Sequence, residues 1–255
     1  MINASDVTFA YDGTPVLAGV GLTAHAGGVV GLIGPNGSGK TTLLRILYAA
    51  LVPSGGTVLV DDRPVGSLTG RQLPQQIAVV AQEAPSELPV TVADMVLLGR
   101  APHRSALQAY RTEDHRIAAA ALHRVGLREL ADRAFHTLSG GEKQRTLIAR
   151  AIAQQAGHLL LDEPTNHLDV RYQHEVLQLV RELRITTVVV LHDLNLAARY
   201  CDQLVLLDRG SVVAAGPVAE VLTPAVLEPV YRISVRTVLD DDCVQLVFRP
   251  QPAVD

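Results

Sequence analysis

The chain has 255 residues, 48% of them hydrophobic but only 4% aromatic and none Trp, so Leu, Val, Ile and Ala must build its core. A formal net charge of −4 provides no global basic field, which argues against nucleic acid as a partner. Cys201 and Cys243 lack metal or redox spacing and suit a reducing compartment. Neither a leader pattern nor an apolar run of the ~18 residues that a membrane helix needs is present. We therefore expect a protein that is soluble by itself and reaches a membrane only through a partner.

The first third of the chain alternates short apolar segments with glycine breaks, a pattern typical of strands. A strand at 29–33 runs straight into a glycine-rich loop, and the helix predicted after that loop covers 40–51. The other predicted strands of this part lie at 7–11, 19–24, 57–60 and 77–80.

Between about 89 and 155 the strand signals stop and Ala-rich helical periodicity replaces them. Strands return afterwards and alternate with helices, which indicates parallel strands joined by crossover helices. These later strands are predicted at 159–161, 187–191 and 204–207. Residues 235–248 read as a hairpin that turns at 240–242.

The most specific motif reads GPNGSGKTT and matches G-x-x-x-x-G-K-[ST] between a predicted strand and a predicted helix. Glycines let backbone N–H groups curl around phosphates, and the helix N-terminus attracts the same negative charge. Lys40 is predicted to contact the terminal phosphates, and the Thr41 hydroxyl is predicted to bind Mg²⁺. The residues predicted to bind a nucleoside triphosphate here are Gly34, Pro35, Asn36, Gly37, Ser38, Gly39, Lys40, Thr41 and Thr42.

Two carboxylates follow the apolar strand at 159–161. Asp162 has the chemistry of a Mg²⁺ ligand that acts through water. Glu163, next to it, is placed to polarise an attacking water. Lys40 and Glu163 are therefore candidate catalytic residues.

The segment Ser139-Gly140-Gly141-Glu142 fits the S-x-x-E capping box that begins a helix. Taken alone, this pattern indicates only a helix start. The two glycines in the first turn, however, leave N–H groups uncovered, which makes an anion-binding site.

With Leu138 before it and Lys143-Gln144-Arg145 after it, this segment resembles the signature sequence of the ATPase subunits of ABC transporters, and the resemblance covers nearly the whole chain. It implies an α/β fold: a P-loop NTPase core of ABC ATPase type with an N-terminal antiparallel β subdomain and an inserted helical subdomain. We expect one ABC ATPase domain over 1–255, with the core and β subdomain at 1–88 and 156–255 and the helical subdomain at 89–155.

In this family two copies pack head to tail around ATP. The resemblance therefore implies that Ser139, Gly140 and Gly141 contact the nucleotide held by a second copy. The loop 166–169 matches the one that crosses between copies, which adds Asp169 to the candidate nucleotide-binding residues.

Three further residues gain a role only from the resemblance. Gln82 matches the glutamine that senses Mg²⁺ and links to the membrane subunit, so Thr41, Gln82 and Asp162 are the candidate metal-binding residues. His192 matches the histidine that contacts the γ-phosphate and is the third catalytic candidate. Tyr11 matches the aromatic residue that stacks on adenine. The other histidines form no ligand pattern, and we expect them mostly at the surface.

The segment 88–104, with its distinctive Gly99-Arg100-x-Pro102-His103, is similar to importers of ferric siderophores, haem and cobalamin. The resemblance implies transmembrane permease subunits as partners, an indirect link to a substrate-binding protein, and a peripheral location on the cytoplasmic face of the membrane. Ferric siderophore is the first cargo expected, with haem second and cobalamin third.

Two readings from other classes remain open. A soluble ABC protein that acts on ribosomes or DNA would usually carry two cassettes or long coiled coils, and this chain has one cassette and no heptads. A regulatory module that binds ATP without using it would not need Glu163 and His192.

Overall fold

Apolar runs of strand length form strands at each place where the sequence predicts them, several of them longer than predicted. In the computed structural model, which describes residues 1–81, 89–105, 108–166, 168–240 and 243–250, the strands are β1 Ile2–Tyr11, β2 Thr14–Ala24, β3 Val29–Ile33, β4 Gly55–Val60, β5 Arg63–Pro64, β6 Ile77–Val80, β7 His158–Asp162, β8 Thr186–Val190, β9 Gln203–Asp208, β10 Ser211–Pro217, β11 Ser234–Asp240 and β12 Cys243–Arg249.

The helices of the described residues are α1 Lys40–Leu47, α2 Gln72–Gln76, α3 Val92–Leu97, α4 Thr112–Arg124, α5 Gly140–Gln154, α6 Val170–Glu182, α7 Leu194–Tyr200, α8 Val218–Val221 and α9 Pro224–Tyr231. The prediction of a helix over 40–51 was too long. The helix ends at Leu47 because Ala49 adopts a left-handed φ of 57° and its N–H turns back to the Ile46 carbonyl. Within the described part of the chain, no helix has the length and apolar character needed to cross a membrane.

The chain divides into two units, residues 1–66 with 184–255 and residues 67–183. In the first unit, β1 pairs antiparallel with β2 and β4, as expected for the N-terminal β subdomain. The apolar strand β3 lies between β8 and β9 and runs parallel to both, and β10 pairs antiparallel with β9. All five residues of β3 are buried, which explains its lack of polar residues. All five residues of β8 are buried as well, although its sequence begins with two threonines.

The predicted C-terminal hairpin is confirmed. β11 and β12 pair antiparallel in a regular register from Ser234 opposite Arg249 to Asp240 opposite Cys243. Two of the residues at the predicted turn, 241 and 242, lie outside the described residues.

In the second unit, β6 and β7 run parallel, with Ile77 opposite His158. The predicted change from strands to helices is confirmed, since the described residues of 89–155 form α3, α4, α5 and short 3-10 segments, one of them at Leu98–His103. His158 is an exception to the expectation of surface histidines, because every residue of β7 is buried.

Candidate phosphate-binding site and associated motifs

The glycine-rich loop begins where the buried strand β3 ends, and its backbone takes conformations that require glycine. Gly34 has φ +144°, and a Cβ added there would lie 2.1 Å from the carbonyl oxygen of Leu207. Gly37 and Gly39 have φ +77° and +101°. The three glycines of the motif thus occupy backbone positions that L side chains rarely adopt.

Lys40 is buried, with 5% of its surface exposed, and is the first residue of α1. Its Nζ donates hydrogen bonds of 2.8 Å to the carbonyl oxygens of Gly34 and Pro35. The ammonium is therefore fixed against the loop backbone, as a point charge at the start of the helix.

The residues of the loop fit a bound triphosphate. The Oγ atom of Ser38 is buried and has no hydrogen-bond partner among the described residues. Gly39 caps α1 without a side-chain hydrogen bond, and the first turn carries no acidic residue. N–H groups at such an uncapped helix start attract anions.

The position of His192 relative to the loop follows from strand order. β3 and β8 are parallel neighbours with Leu32 opposite Val190, and the N–H of Leu191 donates to the Leu32 carbonyl. The exposed His192 and the loop after Ile33 therefore start from the same edge of this sheet.

The two carboxylates predicted from LLLDE differ in backbone geometry. Asp162 is the last residue of β7 and is 7% exposed. Glu163 has a left-handed φ of 52°, which is unusual for a residue with a long side chain. The Asn166 side-chain amide donates to the Glu163 carboxylate, and the Asn166 N–H donates to the Glu163 carbonyl. A strained backbone whose side chain is also fixed is typical of functional positions.

The signature segment forms the predicted capping box. Ser139 precedes α5, its N–H donates to Glu142 Oε2 at 2.8 Å, and its hydroxyl donates to the same oxygen at 2.7 Å. These hydrogen bonds from Ser139 lower the pKa of the Glu142 carboxyl. Ser139 and Gly140 are exposed, whereas Gly141 is buried against the ring of Tyr172.

Of the other candidate nucleotide-binding residues, Tyr11 and Asp169 are both exposed at an end of a strand or helix. Tyr11 ends β1, is 43% exposed, and meets the Phe9 ring edge-on with centroids 4.8 Å apart. Its outer face is thus available to another ring. Asp169 is exposed at the start of α6. Gln82 lies outside the described residues.

Residues far along the chain from the phosphate-binding loop contact it, and the sequence did not predict these contacts. The N–H of Gly210 donates to the Ser38 carbonyl, and the Gly210 carbonyl accepts from Ala18 N–H at 2.9 Å. The Tyr231 hydroxyl hydrogen-bonds to the Gly34 backbone, yet burial dominates and raises the pKa of this phenol to about 12. No local pattern marks these contacts, because the partners are separated by more than 170 residues.

The donor types also fit Mg²⁺, which prefers oxygen and usually keeps positions for substrate phosphates. Taken one at a time, Thr41 in the first unit offers a hydroxyl, and Asp162 in the second unit offers a carboxylate. Among the described residues, no group of three His, Cys, Asp or Glu side chains could hold a metal ion. An ion held partly by phosphate oxygens is consistent with that finding.

Comparison with known proteins gives a family match. The family model described as ABC transporter matches residues 17–166. The chain is 41% identical to the hemin import ATP-binding protein HmuV of Thermobifida fusca, over 93% of this chain and 84% of that protein. It is 40% identical to the cobalamin import protein BtuD of Halobacterium salinarum, over 94% and 61%. It is 35% identical to the ferric enterobactin transport protein FepC of Escherichia coli, over 95% and 90%.

Solved structures share the fold. An inward-facing ABC transporter, provisionally classed as metal-chelate type, matches with a TM-score of 0.85 at 28% identity over 98% of this chain and 97% of that one. The dimeric structure of the ABC transporter cassette MJ0796 matches with a TM-score of 0.74 at 30% identity over 86% and 99%. The predicted fold class is confirmed.

Proposed function

This chain belongs to the ABC transporter family as an ATP-binding domain, and on that premise we propose that it is the ATP-hydrolysing subunit of an importer of iron chelates. The proposal of ATP binding and hydrolysis depends mainly on the buried Lys40 ammonium, which hydrogen-bonds to two loop carbonyls at a helix start without a side-chain cap. The import part is supported by the names of the relatives, which are ATP-binding proteins for hemin import, cobalamin import and ferric enterobactin transport.

ATP binding uses the whole loop in this proposal. The residues 34–39 surround the phosphates with backbone N–H groups, Lys40 offsets phosphate charge, and Thr42 lies in the first turn of the same helix. Tyr11 stacks its exposed ring on the adenine. The 43% exposure of Tyr11 supports this role.

Thr41, Asp162 and Gln82 are the residues that we propose for Mg²⁺. When bound, the ion would neutralise charge on the phosphate oxygens. Asp162 is fixed by its place at the end of a buried strand, so its carboxylate needs little reorganisation to act.

Glu163 is the proposed general base. The Asn166 amide donates to its carboxylate, which orients the side chain, and the proposed task of that carboxylate is to accept a proton from the attacking water. His192 contacts the γ-phosphate in this account and reports its presence to α7. Because Asp193 caps α7 directly after it, a movement of His192 reaches that helix through one residue.

A second copy of the chain completes each site in this proposal. Ser139, Gly140 and Gly141 would contact the nucleotide bound by the partner copy, and Asp169 would lie at the crossing between copies. The exposure of Ser139, Gly140 and Asp169 supports these roles, as does the dimeric state of a structural relative.

The membrane partner is a permease, contacted through Gln82 and the helical subdomain 89–155, with a substrate-binding protein acting on the far side. The chain then works peripherally at the cytoplasmic face. Ferric siderophore is the cargo that we rank first. Hemin is the second candidate, and the identity of 41% to a hemin relative, against 35% to the ferric enterobactin relative, is the reason to test it beside ferric siderophore. Cobalamin is the third.

The experiment is ATPase activity in lipid vesicles that contain the permease encoded beside this chain. Binding protein loaded with ferric siderophore, hemin or cobalamin is added in turn, with unloaded binding protein as the control. Stimulation by one loaded protein supports import and identifies the cargo. Hydrolysis that no permease and no cargo alters would overturn the importer role and leave a soluble ABC ATPase, and the absence of hydrolysis under every condition would indicate a regulatory module.

A further inference from the structure

The segment Gly99-Arg100-Ala101-Pro102-His103 packs against the end of the helix that carries the signature sequence. A Cβ added at Gly99 would lie 2.2 Å from the carbonyl oxygen of Arg150 in α5. Only a glycine permits this approach of the 3-10 segment to the helix backbone. The segment and α5 therefore touch backbone to backbone.

Arg100 binds the last turn of α5 directly. It is 7% exposed, and its Nη1 donates to the Ala153 carbonyl at 2.8 Å and to Gln155 Oε1 at 2.9 Å. The last carbonyls of a helix lack partners within it and attract positive charge. Arg100 thus acts as a C-terminal cap supplied by another segment.

Asp114 joins the same cap to a second helix. Its Oδ1 accepts from Arg100 Nε at 3.0 Å, while its Oδ2 accepts from the backbone N–H of Arg111 at the start of α4. These hydrogen bonds, that from Arg111 first, lower the pKa of the Asp114 carboxyl. The buried pair keeps its charge and links the start of α4 to the end of α5.

His103 adds a contact at the surface. Its Nε2 lies 2.7 Å from the carbonyl oxygen of Gln154, the last residue of α5. The Gln154 amide in turn donates to the carbonyls of Pro74 and Ile77, and the Gln75 amide donates to the carbonyl of Pro102. The end of α5 is thus held from both sides.

The signature segment lies at the other end of the same helix. α5 runs without interruption from Gly140 to Gln154, with Ser139 as its cap. A helix of this length is about 22 Å long, and an unbroken series of backbone hydrogen bonds joins its two ends. Whatever fixes its C-terminal end also fixes the direction in which Ser139 and Gly140 point.

We propose that Arg100 and His103 are positioning residues that act through α5, holding the signature segment in the orientation that a second copy's nucleotide requires. The inference rests on the proposed function, because it presumes that the signature contacts a nucleotide in the partner copy. In this proposal the G-R-x-P-H segment acts in formation of the ATP-bound dimer, and its role does not depend on which cargo is transported.

The test measures ATP-dependent dimerisation by light scattering in a Glu163→Gln background, where bound ATP persists. His103→Ala is the first variant, since His103 is exposed and its loss does not threaten folding. Arg100→Met removes the buried cap. His103→Gln restores a hydrogen-bond donor, His123→Ala is a control at another exposed histidine, and Ser139→Arg, which blocks closure by bulk, is a positive control.

In His103→Ala and Arg100→Met, the ATP concentration that gives half-maximal dimerisation should rise about 5-fold or more, which is the usual size of a coupling between two sites. ATP affinity of the single copy should stay unchanged, because the phosphate-binding loop is intact. His103→Gln should recover most of the loss, and His123→Ala should show none. Dimerisation of His103→Ala and of folded Arg100→Met at the unchanged ATP concentration would overturn the inference. A parent protein that binds ATP but never dimerises would instead overturn the proposed sandwich itself.

Discussion

The side-chain amide of Asn195 makes both of the hydrogen bonds that a neighbouring strand would make to Leu246. Asn195 Nδ2 donates to the Leu246 carbonyl at 3.2 Å, and Leu246 N–H donates to Asn195 Oδ1 at 2.7 Å. Asn195 belongs to α7, which begins two residues after His192, and Leu246 belongs to β12. The C-terminal hairpin is thus attached to the helix that follows a candidate catalytic histidine.

Replacing Asn195 with Ala should lower the free energy of unfolding by about 1–3 kcal/mol, because the backbone groups of Leu246 would lose partners in a partly buried place. Urea unfolding at neutral pH measures the change. Asn195→Asp keeps the acceptor and loses the donor, so it should be milder than Asn195→Ala. Equal stability of Asn195→Ala and the parent would show that the two hydrogen bonds between Asn195 and Leu246 contribute nothing to the free energy of unfolding.

Gly34→Ala and Gly37→Ala form a matched pair in the phosphate-binding loop. Both glycines have positive φ, but a Cβ at Gly34 would strike the Leu207 carbonyl, whereas nothing lies within 4 Å of one at Gly37. Gly34→Ala should weaken binding of a fluorescent ATP analogue about 10-fold or more, and Gly37→Ala distinctly less. Similar losses of affinity in the two variants would mean that the positive φ alone requires glycine at both positions, and that the contact with the Leu207 carbonyl adds nothing.

Glu163→Gln should bind ATP with unchanged affinity and hydrolyse it about 10²–10⁴-fold more slowly, the range for a lost general base. The left-handed backbone at this position is kept by the substitution, so folding is not at issue. Phosphate release and nucleotide binding are measured on the same preparation. Turnover at the parent's rate would remove Glu163 from the role of base.

Tyr231 should make stability depend on pH in the alkaline range. Burial raises its pKa from about 10 to about 12, so the folded state retains a proton that the unfolded state loses. Its contribution is complete below pH ~10 and is lost as the pH rises through ~12, a change of at most about 2 kcal/mol for this partly buried ring.

The control for this effect is Tyr231→Phe, which cannot titrate. Between pH ~9.5 and ~11.5, the parent should lose more unfolding free energy than Tyr231→Phe does. Parallel curves for the two proteins would contradict the raised pKa.

Local patterns predicted those parts of the molecule that depend on local chemistry. The loop at 34–42 was recognisable because its glycines are required by backbone geometry, and the capping box at Ser139 because its partners are three residues apart. The end of α1 was misplaced because Leu51 continues the apolar spacing beyond the point where the chain turns.

Contacts between distant parts of the chain were not predictable in the same way. The segment 99–103 was distinctive as a sequence, yet nothing in it names Ala153 or Gln154 as its partners. The supports of the loop by Gly210 and Tyr231, and the attachment of Leu246 to Asn195, likewise depend on the folded topology. Single sequences carry the residue types for such contacts but not the pairing.

Import by this chain can be measured as uptake of iron into vesicles that contain the permease and this chain, with binding protein and ⁵⁵Fe-labelled ferric siderophore or hemin outside and ATP inside. We predict uptake of one of the two iron chelates that requires ATP and falls to background with Glu163→Gln. Equal accumulation with the parent and with Glu163→Gln, or vigorous ATP hydrolysis without movement of either chelate, would show that this chain does not power the import of iron chelates.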